Sequence, residues 1–531
     1  MRHHQLRHRT PLGLLAGLPG QAVRPCRRLA RGMTISKREV KKVSAARGAV
    51  LVVAMRWTDR LIGLVSTLIL ARLLVPEDFG IVAMASVVVG LIDTLLDLGV
   101  GSALVQNRDA AREEFDTAWT LRILQAAVAA LAIWLAAPFA ADYFRDPRVL
   151  DVIRLMALTI LIGGFENIGI VAFQKNMEFG KDFQFFFFRR LAGFSVTMVL
   201  AFVFQSYWAM VVGALSGRLA GVALSYWLHD YRPRLTLVRV AKLWSFSQWV
   251  LVRNLGVYGQ MQLDKFLVGR RTDATTLGAY TLADEIASMP TTELLAPLGR
   301  VLFPVFVKVA DDAEKLRAVF CKAIGVQSLF ALPAGVGLAL VAEDAVLFLL
   351  GEKWRIAIPM VQTLALISVF SALSHSSAYL LLALGQVRLQ AMLAWLQLIL
   401  LATLALVFFP EAGAMGIAYV RLATTALGLF VFVAFVLHYV KAVRLSDFVA
   451  HTWRPLFATG AMALVLSNIP RFEWLPNVGQ LCLLIASGAM VYGLSIICTW
   501  RISGCAEGAE TYLLEQVRMK ERFFKLMRVS K

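Results

Sequence analysis

The sequence contains continuous apolar runs of about 20 residues, each long enough to cross the hydrocarbon core of a bilayer as a helix. A backbone inside lipid must satisfy its own hydrogen bonds, so such runs are either α-helices or strands of a closed barrel. Continuous rather than alternating hydrophobicity indicates helices. Hydrophobic residues make up 59% of the chain, whereas soluble proteins have roughly 45–50%. We therefore predict an all-α polytopic membrane protein.

The hydrophobic pattern predicts about fourteen transmembrane helices. An even number of spans places both ends of the chain on the same side of the membrane. The predicted spans are 49–71, 79–104, 117–138, 150–172, 185–204, 207–228, 245–268, 277–304, 321–349, 357–384, 388–409, 413–439, 456–470 and 475–499.

The basic residues are distributed unevenly between the two sides of this predicted topology. The formal net charge is +19, which in a soluble protein would suggest nucleic-acid binding. With the N-terminus inside, however, the inside loops and C-terminal tail carry 25 lysines and arginines and the outside loops carry 8. This bias predicts that both termini are cytoplasmic, with no nucleic-acid partner.

An internal repeat organises the chain. Residues 56–85 and 254–283 align without gaps, and further landmarks follow in the same order. Each repeat contains six predicted spans and begins inside, so the two units have parallel topology. The aligned landmarks are Arg72 with Arg270, Gly80 with Gly278, Ala85 with Ala283, 149–161 with 357–369 and Arg218 with Arg421, at shifts of 198, 208 and 203 residues.

The repeat predicts two six-helix lobes, followed by two additional helices outside the repeat. Transporters commonly bind substrate between such lobes, near the bilayer midplane. We expect residues 1–32 to be a dispensable extension within a disordered basic tail. The predicted segments are the cytoplasmic tail 1–48, the N-lobe 49–228, a cytoplasmic linker 229–244, the C-lobe 245–439, the additional helices 456–499 and a basic amphipathic tail 500–531.

Charged side chains inside the predicted spans are candidates for binding, because burying a charge in a membrane costs roughly 2.5–3.5 kcal/mol. In helix 1, Arg56, Arg60, Gly63 and Thr67 share one helical face. The equivalent positions of helix 7 are Asn254, Tyr258, Met261 and Lys265. Two such faces across a cleft would suit an anionic group such as a diphosphate, since arginine binds phosphate oxygens in a bidentate manner. The alternative is a set of structural ion pairs. The predicted substrate-binding residues are Arg56, Arg60, Asn254, Tyr258 and Lys265.

Acidic residues in the spans are candidates for ion coupling or for charge pairs. We expect Asp59 to pair with Arg56 or Arg60. Arg122 is interpreted as an anchor at a span end, and the repeated Arg218 and Arg421 suit packing as well as function. No catalytic motif, metal-ligand cluster or cofactor motif is present, so we expect no cofactor beyond a coupling proton or sodium ion. The acidic candidates are Asp59, Asp93, Asp97, Glu166 and Asp264.

Several motifs resemble the polysaccharide biosynthesis flippases, the O-antigen and exopolysaccharide branch of the multidrug/oligosaccharidyl-lipid/polysaccharide exporter superfamily. They are RWTDRLIGLVSTLILARLLVPEDFGIVAMA at 56–85, DLGVGSALVQ at 97–106, QKNMEFGK at 174–181 and LDKFLVGRRTDATTLGAYTLA at 263–283. The resemblance covers roughly residues 40–440. It implies fourteen helices in two lobes and alternating access in the bacterial inner membrane. The implied cargo is an undecaprenyl-diphosphate-linked oligosaccharide, with other polysaccharide assembly proteins as further partners.

Two other functions remain open at this point. A multidrug exporter of the same superfamily would prefer an acidic cavity, so the cationic faces argue against it. A membrane enzyme or scaffold of polysaccharide synthesis is the alternative from another class. A polymerase would carry a long outside loop and a glycosyltransferase a nucleotide-sugar domain, and the predicted topology has neither. We therefore predict a transporter rather than an enzyme.

Overall fold

A computed structural model describes residues 54–96, 112–176, 178–238, 240–408, 411, 413–470, 477–504 and 511. The secondary structure of these residues is helical and includes no strand. Nine helices in this part of the chain are long and apolar enough to cross a membrane. The prediction of an all-α polytopic membrane protein is confirmed. The predicted tail 1–48 and most of the tail 500–531 lie outside the described residues.

Fourteen helices of at least 17 residues lie in the described part of the chain. Whether all of them cross the membrane stays a prediction. We number them α1 (54–73), α2 (Pro76–Leu96), α3 (Arg112–Phe144), α4 (Arg148–Gly164), α5 (Phe179–Phe204), α6 (Trp208–Leu228), α7 (Val240–Arg271), α8 (Ala274–Val309), α9 (Ala313–Leu340), α10 (Ile358–Ala383), α11 (Val387–Thr403), α12 (Ala414–Tyr439), α13 (Leu445–Asn468) and α14 (Asn477–Ile502).

Several helices begin or end some residues away from the predicted spans; helix α9, for example, ends at Leu340, inside the predicted span 321–349. Two of the differences have a local cause. Helix α4 ends at Gly164 rather than at 172, because the Asn167 side chain accepts a hydrogen bond from the Gly169 backbone N–H at 2.9 Å and starts a separate 3-10 turn. Helix α13 begins at Leu445 rather than at 456, where Asp447 accepts a hydrogen bond from the Arg444 backbone N–H at 2.9 Å. A capping carboxylate in the first turn stabilises this earlier start.

The helices pack as two groups and a terminal pair. We call α1–α6 the N-lobe and α7–α12 the C-lobe. In the N-lobe α3 packs on α4 and α5 on α6, while in the C-lobe α10 packs on α8, α9 and α12. Helix α13 packs on α9 and α14. The lobes meet where α2 packs against α7 and α8.

The repeat-related glycines Gly80 and Gly278 lie at the crossing of α2 and α8. A Cβ atom added at Gly80 would clash with the carbonyl oxygen of Ala274, and one added at Gly278 would clash with that of Pro76. In both cases the obstacle is backbone, which cannot move aside as a flexible side chain can. The residues paired by the sequence repeat therefore bring the two lobes into backbone contact.

Two arginines, also paired by the repeat, join the lobes at the same end of the molecule. Arg72, at the end of α1, donates from Nε to the Leu349 carbonyl at 3.0 Å and from Nη2 to the Phe348 carbonyl. Arg270, at the end of α7, donates to the Tyr143 carbonyl at 3.0 Å. Each guanidinium satisfies carbonyl groups at a helix C-terminus in the opposite lobe. We call this region the sealed end.

The opposite end carries the connection between the lobes, and we call it the linker end. Residues 229–238 fold back onto the N-lobe. The Tyr231 hydroxyl donates to Asp116 at 2.6 Å, the Arg234 backbone N–H donates to the same carboxylate at 2.9 Å, and Asn167 donates to the Tyr231 carbonyl at 2.6 Å. The linker is thus fixed to the N-lobe up to the beginning of α7.

Candidate functional site

Helix α1 lies between two cavities, one in each lobe. The N-lobe cavity has a volume of about 530 Å³ and is bounded by α1, α4, α5 and α6. The C-lobe cavity, of about 500 Å³, is bounded by α8, α9, α10 and α12, with Arg56 of α1 contributing to its wall. Asp59, Ile62 and Ser66 face the N-lobe cavity. One helix therefore presents a different face to each cavity, as the 3.6-residue period requires.

Arginines dominate the charged part of the N-lobe cavity. Arg189 and Arg190 of α5 and Arg218 of α6 line it, and Asp59 is the acidic residue among the described lining residues. Arg189 and Arg190 were counted among the basic residues of the inside loops and their borders, and both lie within helix α5, as in the predicted span 185–204.

A single buried carboxylate lies behind this cavity. Glu166, in the break after α4, has only 3% of its surface exposed. Its Oε2 atom lies 3.5 Å from Arg122, 3.4 Å from Arg189 and 3.9 Å from Arg218. One carboxylate cannot satisfy the donors of three guanidiniums, since each carries five N–H groups. These arginines therefore retain donors for an anionic ligand.

Two other acidic candidates also face N-lobe arginines. Asp59 lies 3.4 Å from Arg190, so the expectation that it would pair with Arg56 or Arg60 was wrong. Asp93, on α2, lies close enough to Arg218 to attract it electrostatically. Four arginines of the N-lobe group thus face three carboxylates, which leaves an excess of positive charge.

The C-lobe cavity has a different composition. Neutral polar side chains form most of its polar wall. The charged residues are Arg56 and the paired Asp284 and Arg421. The full lining is Arg56, Asp284, Ser288, Thr291, Thr292, Leu295, Gly299, Gln327, Ile367, Ser368, Ser371, Ala372, His375, Tyr379 and Arg421.

A compact ion network stands at one side of the C-lobe cavity. Arg421 lies 2.6 Å from Asp264 and 3.0 Å from Asp284. Lys265 lies 3.0 Å from Asp284, and the Tyr280 hydroxyl donates to Asp264 at 2.8 Å. Asp264 is fully buried. Two cations and two carboxylates balance, so this network is electrically neutral.

The structure separates the five predicted substrate-binding residues. Arg56 lines the C-lobe cavity, whereas Arg60 lies 2.7 Å from Glu293 of α8 in an ion pair between the lobes. The Tyr258 hydroxyl donates to the Val87 carbonyl at 2.7 Å, and Lys265 belongs to the ion network. Asn254 is half-buried on α7. Three of the five thus have protein partners, and their role in binding stays a prediction.

The remaining ion-coupling candidates have mixed positions. Glu166 belongs to the N-lobe arginine group and Asp264 to the C-lobe ion network. Asp97 lies outside the described residues. Within the ranges that the structure describes, no group of three or more His, Cys, Asp or Glu residues could hold a metal ion.

The sequence analysis missed the N-lobe arginine group. Arg122 was taken for an anchor at a span end, and Arg189 was counted at the border of an inside loop. A signal was nevertheless present, because Arg218 and Arg421 occupy matching positions in the repeat. Both are now seen at the centre of their lobe's charged group. Repeated arginines within predicted spans were thus the signal that these charged groups exist.

The fold and the paired cavities define a polytopic membrane protein of the transporter class. A family model described as polysaccharide biosynthesis protein matches residues 69–359, more than half of the chain. The protein belongs to this family.

Curated relatives agree with this assignment. The lipopolysaccharide biosynthesis protein WzxC of Escherichia coli is 28% identical over 408 residues, covering 75% of this chain and 81% of the relative. The succinoglycan biosynthesis transport protein ExoT of Rhizobium meliloti is 27% identical over 300 residues, covering 56% of this chain and 61% of the relative.

Solved structures share the fold at low sequence identity. The lipid II flippase MurJ in an inward closed conformation aligns with a TM-score of 0.68 and 12% identity, covering 85% of this chain and 99% of that one. An inward-facing multidrug transporter of the MATE family aligns with a TM-score of 0.59 and 15% identity, covering 72% and 95%.

Proposed function

We propose that this protein is a flippase that moves an undecaprenyl-diphosphate-linked oligosaccharide, a precursor of O-antigen or exopolysaccharide, from the cytoplasmic to the periplasmic leaflet. Its family and its relatives in lipopolysaccharide and succinoglycan biosynthesis support this function. The protein is a transporter, not an enzyme. Its partners are the lipid-linked cargo and membrane lipid, with other polysaccharide assembly proteins as a further proposal.

The observation that carries the proposal is the sharing of Glu166 among three arginines beside the N-lobe cavity. A diphosphate offers several acceptor oxygens, and guanidinium groups bind such oxygens in pairs. Binding there would replace water by fixed donors in a partly buried site, where charge-assisted hydrogen bonds are strong. The neutral C-lobe network has no such surplus.

The proposed orientation follows from the distribution of basic residues. The predicted inside loops carry most of the lysines and arginines, which favours the cytoplasmic side for the linker end and for both termini. The sealed end would then face the periplasm of a bacterial inner membrane. In this conformation cargo would enter from the cytoplasmic side. Alternating access would require the sealed end to open while the linker end closes.

Coupling to a proton or sodium gradient is also part of the proposal. Asp59, Asp93 and Asp264 are its carboxylate candidates, each already beside a cation in this conformation. A multidrug exporter of related fold is the competing function. It would need an acidic cavity for cationic drugs, and the N-lobe cavity is lined by three arginines and one aspartate.

The test is flipping by purified protein in proteoliposomes, with fluorescent undecaprenyl-diphosphate-linked oligosaccharide as cargo. Leaflet exposure is measured with a membrane-impermeant quencher. Arg189→Gln and Arg218→Gln each remove guanidinium donors from the N-lobe cavity. We expect each to slow flipping roughly 10- to 100-fold, because a hydrogen bond to a charged group contributes about 1.5–3 kcal/mol.

Arg154→Gln is the matched control, because this arginine of the same lobe stacks over Trp134 at 5.0 Å and does not line the cavity. It should flip cargo at the wild-type rate. Wild-type rates in folded Arg189→Gln and Arg218→Gln would reject the N-lobe cavity as the diphosphate site. No flipping by the wild type, together with transport of cationic drugs, would favour the exporter instead.

A further inference from the structure

Four hydroxyl groups of the C-lobe cavity donate hydrogen bonds to backbone carbonyls of their own helices. Ser288 donates to the Glu285 carbonyl at 3.1 Å, and Ser368 donates to that of Leu364 at 3.2 Å. Thr291 and Thr292 likewise donate to the Ser288 carbonyl, at 3.1 and 2.8 Å. A hydroxyl that donates to the backbone keeps its oxygen lone pairs free. These four side chains therefore present acceptor oxygens to the cavity.

Gln327 of α9 adds a buried acceptor to the same wall. Only 2% of its surface is exposed, and it lines the cavity. Its Oε1 atom is buried without a hydrogen-bond partner among the described residues. Leaving such an atom unsatisfied costs about 1–3 kcal/mol. Because the Gln327 side chain lines the cavity, a ligand bound there is placed to supply the missing donor.

The charges of the cavity restrict the chemistry of that ligand. A phosphate would find charged donors only at Arg56 and Arg421, because the four bonded hydroxyl groups and the Gln327 Oε1 atom accept hydrogen bonds as phosphate oxygens do. An organic cation is unsuited, because Arg421 and Arg56 line the cavity and the Asp284 carboxylate already binds Lys265 and Arg421. A neutral ligand that donates several hydrogen bonds fits this wall.

Size and shape agree with such a ligand. The volume of about 500 Å³ lies within the roughly 300–1,000 Å³ usual for small-molecule sites. The rings of His375 and Tyr379, with centroids 6.3 Å apart, form an aromatic part of the wall. Gly299 allows the Tyr379 hydroxyl to approach the backbone of α8, since a Cβ atom there would lie 2.6 Å from it. An aromatic surface beside many acceptors suits the apolar face and the hydroxyl rim of a sugar ring.

We propose that the C-lobe cavity is a subsite for a neutral sugar residue of the cargo, and that Gln327 accepts a hydrogen bond from one of its hydroxyls. This inference rests on the proposed function, in which the N-lobe arginines hold the diphosphate. The cargo then spans both lobes across α1, with its charged group on one side and its first sugars on the other. Arg56, the N-lobe residue in the C-lobe wall, lies on this path.

Equilibrium binding to the full-length protein in detergent tests the two subsites separately. The probes are undecaprenyl diphosphate alone and the same lipid carrying glucose, galactose or N-acetylglucosamine. Wild-type protein should bind at least one sugar-bearing lipid about tenfold more tightly than the bare lipid. Gln327→Leu should abolish that preference and leave the affinity for bare lipid unchanged. Arg218→Gln should weaken binding of all four lipids by the same factor.

Gln480→Leu on α14 is the matched control, since Gln480 is also buried with an unpartnered Oε1 but does not line the cavity. It should keep the wild-type preference. Ser371→Ala, a smaller change in the same wall, should reduce the preference if Gln327→Leu does not fold.

The outcomes separate this inference from the function on which it rests. Tight binding of all four lipids without any preference for sugar overturns the sugar subsite and leaves the flippase proposal standing. A preference that persists in both folded Gln327→Leu and Ser371→Ala also overturns it. Failure of the wild type to bind any of the lipids overturns both proposals.

Discussion

In the N-lobe three arginines share the Glu166 carboxylate at 3.4 to 3.9 Å, whereas in the C-lobe Arg421 alone is held by two carboxylates at 2.6 and 3.0 Å. Arg218 and Arg421 are matching residues of the repeat, yet Arg218 shares one carboxylate with two other arginines, whereas Arg421 lies in a network whose charges balance. The difference shows how a duplicated unit can separate tasks. The N-lobe copy has an excess of positive charge beside its cavity, and the C-lobe copy balances its charge within its own ion network.

The largest expected effect follows from exchanging each of these arginines for glutamine. Arg421→Gln leaves the fully buried Asp264 without its cation, and breaking a buried ion pair costs about 3–5 kcal/mol. Arg218→Gln should destabilise much less, because Glu166 keeps two arginines. Thermal unfolding in detergent measures both. Equal losses of stability in the two variants would contradict the contrast between Arg421, whose charge two carboxylates balance, and Arg218, which shares Glu166 with two other arginines.

The next largest effect concerns Gly80 and Gly278, the matching glycines at the contact between the lobes. Gly80→Ala and Gly278→Ala each force a Cβ atom against the backbone of the other lobe, and overpacking costs about 1–3 kcal/mol or more. We expect both to open the sealed end to a similar extent. Spin labels at the exposed positions Asp151 and Glu352 report the distance between the lobes.

Gly180→Ala is the control for this pair, because nothing lies within 4 Å of a Cβ atom added there. It should leave the label distance unchanged. An unchanged distance in Gly80→Ala and Gly278→Ala, or a change in only one of them, would show that the sealed end is not symmetric.

A smaller effect concerns the ion pair by which α1 contacts the C-lobe. Arg60 and Glu293 lie 2.7 Å apart with side chains 38% and 29% exposed, so the pair contributes about 1 kcal/mol or less. Arg60→Glu alone should lower the flipping rate a few-fold by repelling Glu293. The double exchange Arg60→Glu with Glu293→Arg should restore it. Failure of the double variant to recover would show that Arg60 acts on the cargo.

The smallest effect is a pH dependence confined to the C-lobe side. Bidentate hydrogen bonds from Arg317 lower the pKa of Asp447. A carboxyl with a lowered pKa in the folded state stabilises the protein above its ordinary pKa of about 4, and this contribution disappears as the pH falls through the lowered value. Asp447→Asn should therefore reduce the loss of stability between pH 5 and pH 3, measured by thermal unfolding. An unchanged pH profile would contradict this role.

The sequence predicted the fold class and the repeat because both depend on patterns along the chain. Apolar runs locate helices through the length that a bilayer requires. The gapless alignment of Gly80 with Gly278 and of Arg72 with Arg270 paired residues that the structure places in corresponding contacts between the lobes. Local capping by Asn167 and Asp447 depends on side-chain geometry, and this is why the ends of the fourth and thirteenth helices were misplaced.

The candidate site was less predictable because a charge in a span does not reveal its partner. Arg56 and Arg60 share a face of α1, as predicted, but Arg60 finds Glu293 on another helix. Arg189 lies inside helix α5, as the predicted span 185–204 had it, but the sequence did not show that it faces Glu166. Packing between helices distant in the chain decides which arginines share one carboxylate and which have their charge balanced by two. One sequence does not contain that information.

The reciprocal arginine contacts between the lobes determine how the sealed end can open. Arg72 reaches from the N-lobe to a C-lobe helix end, and Arg270 reaches in the reverse direction. A rotation that parts the lobes lengthens both contacts in the same movement and exposes carbonyl groups on both sides. Neither the Arg72 contact nor the Arg270 contact can break before the other unless one lobe tilts. The opening is therefore expected to be cooperative and governed by a single equilibrium constant, so that intermediate separations are sparsely populated.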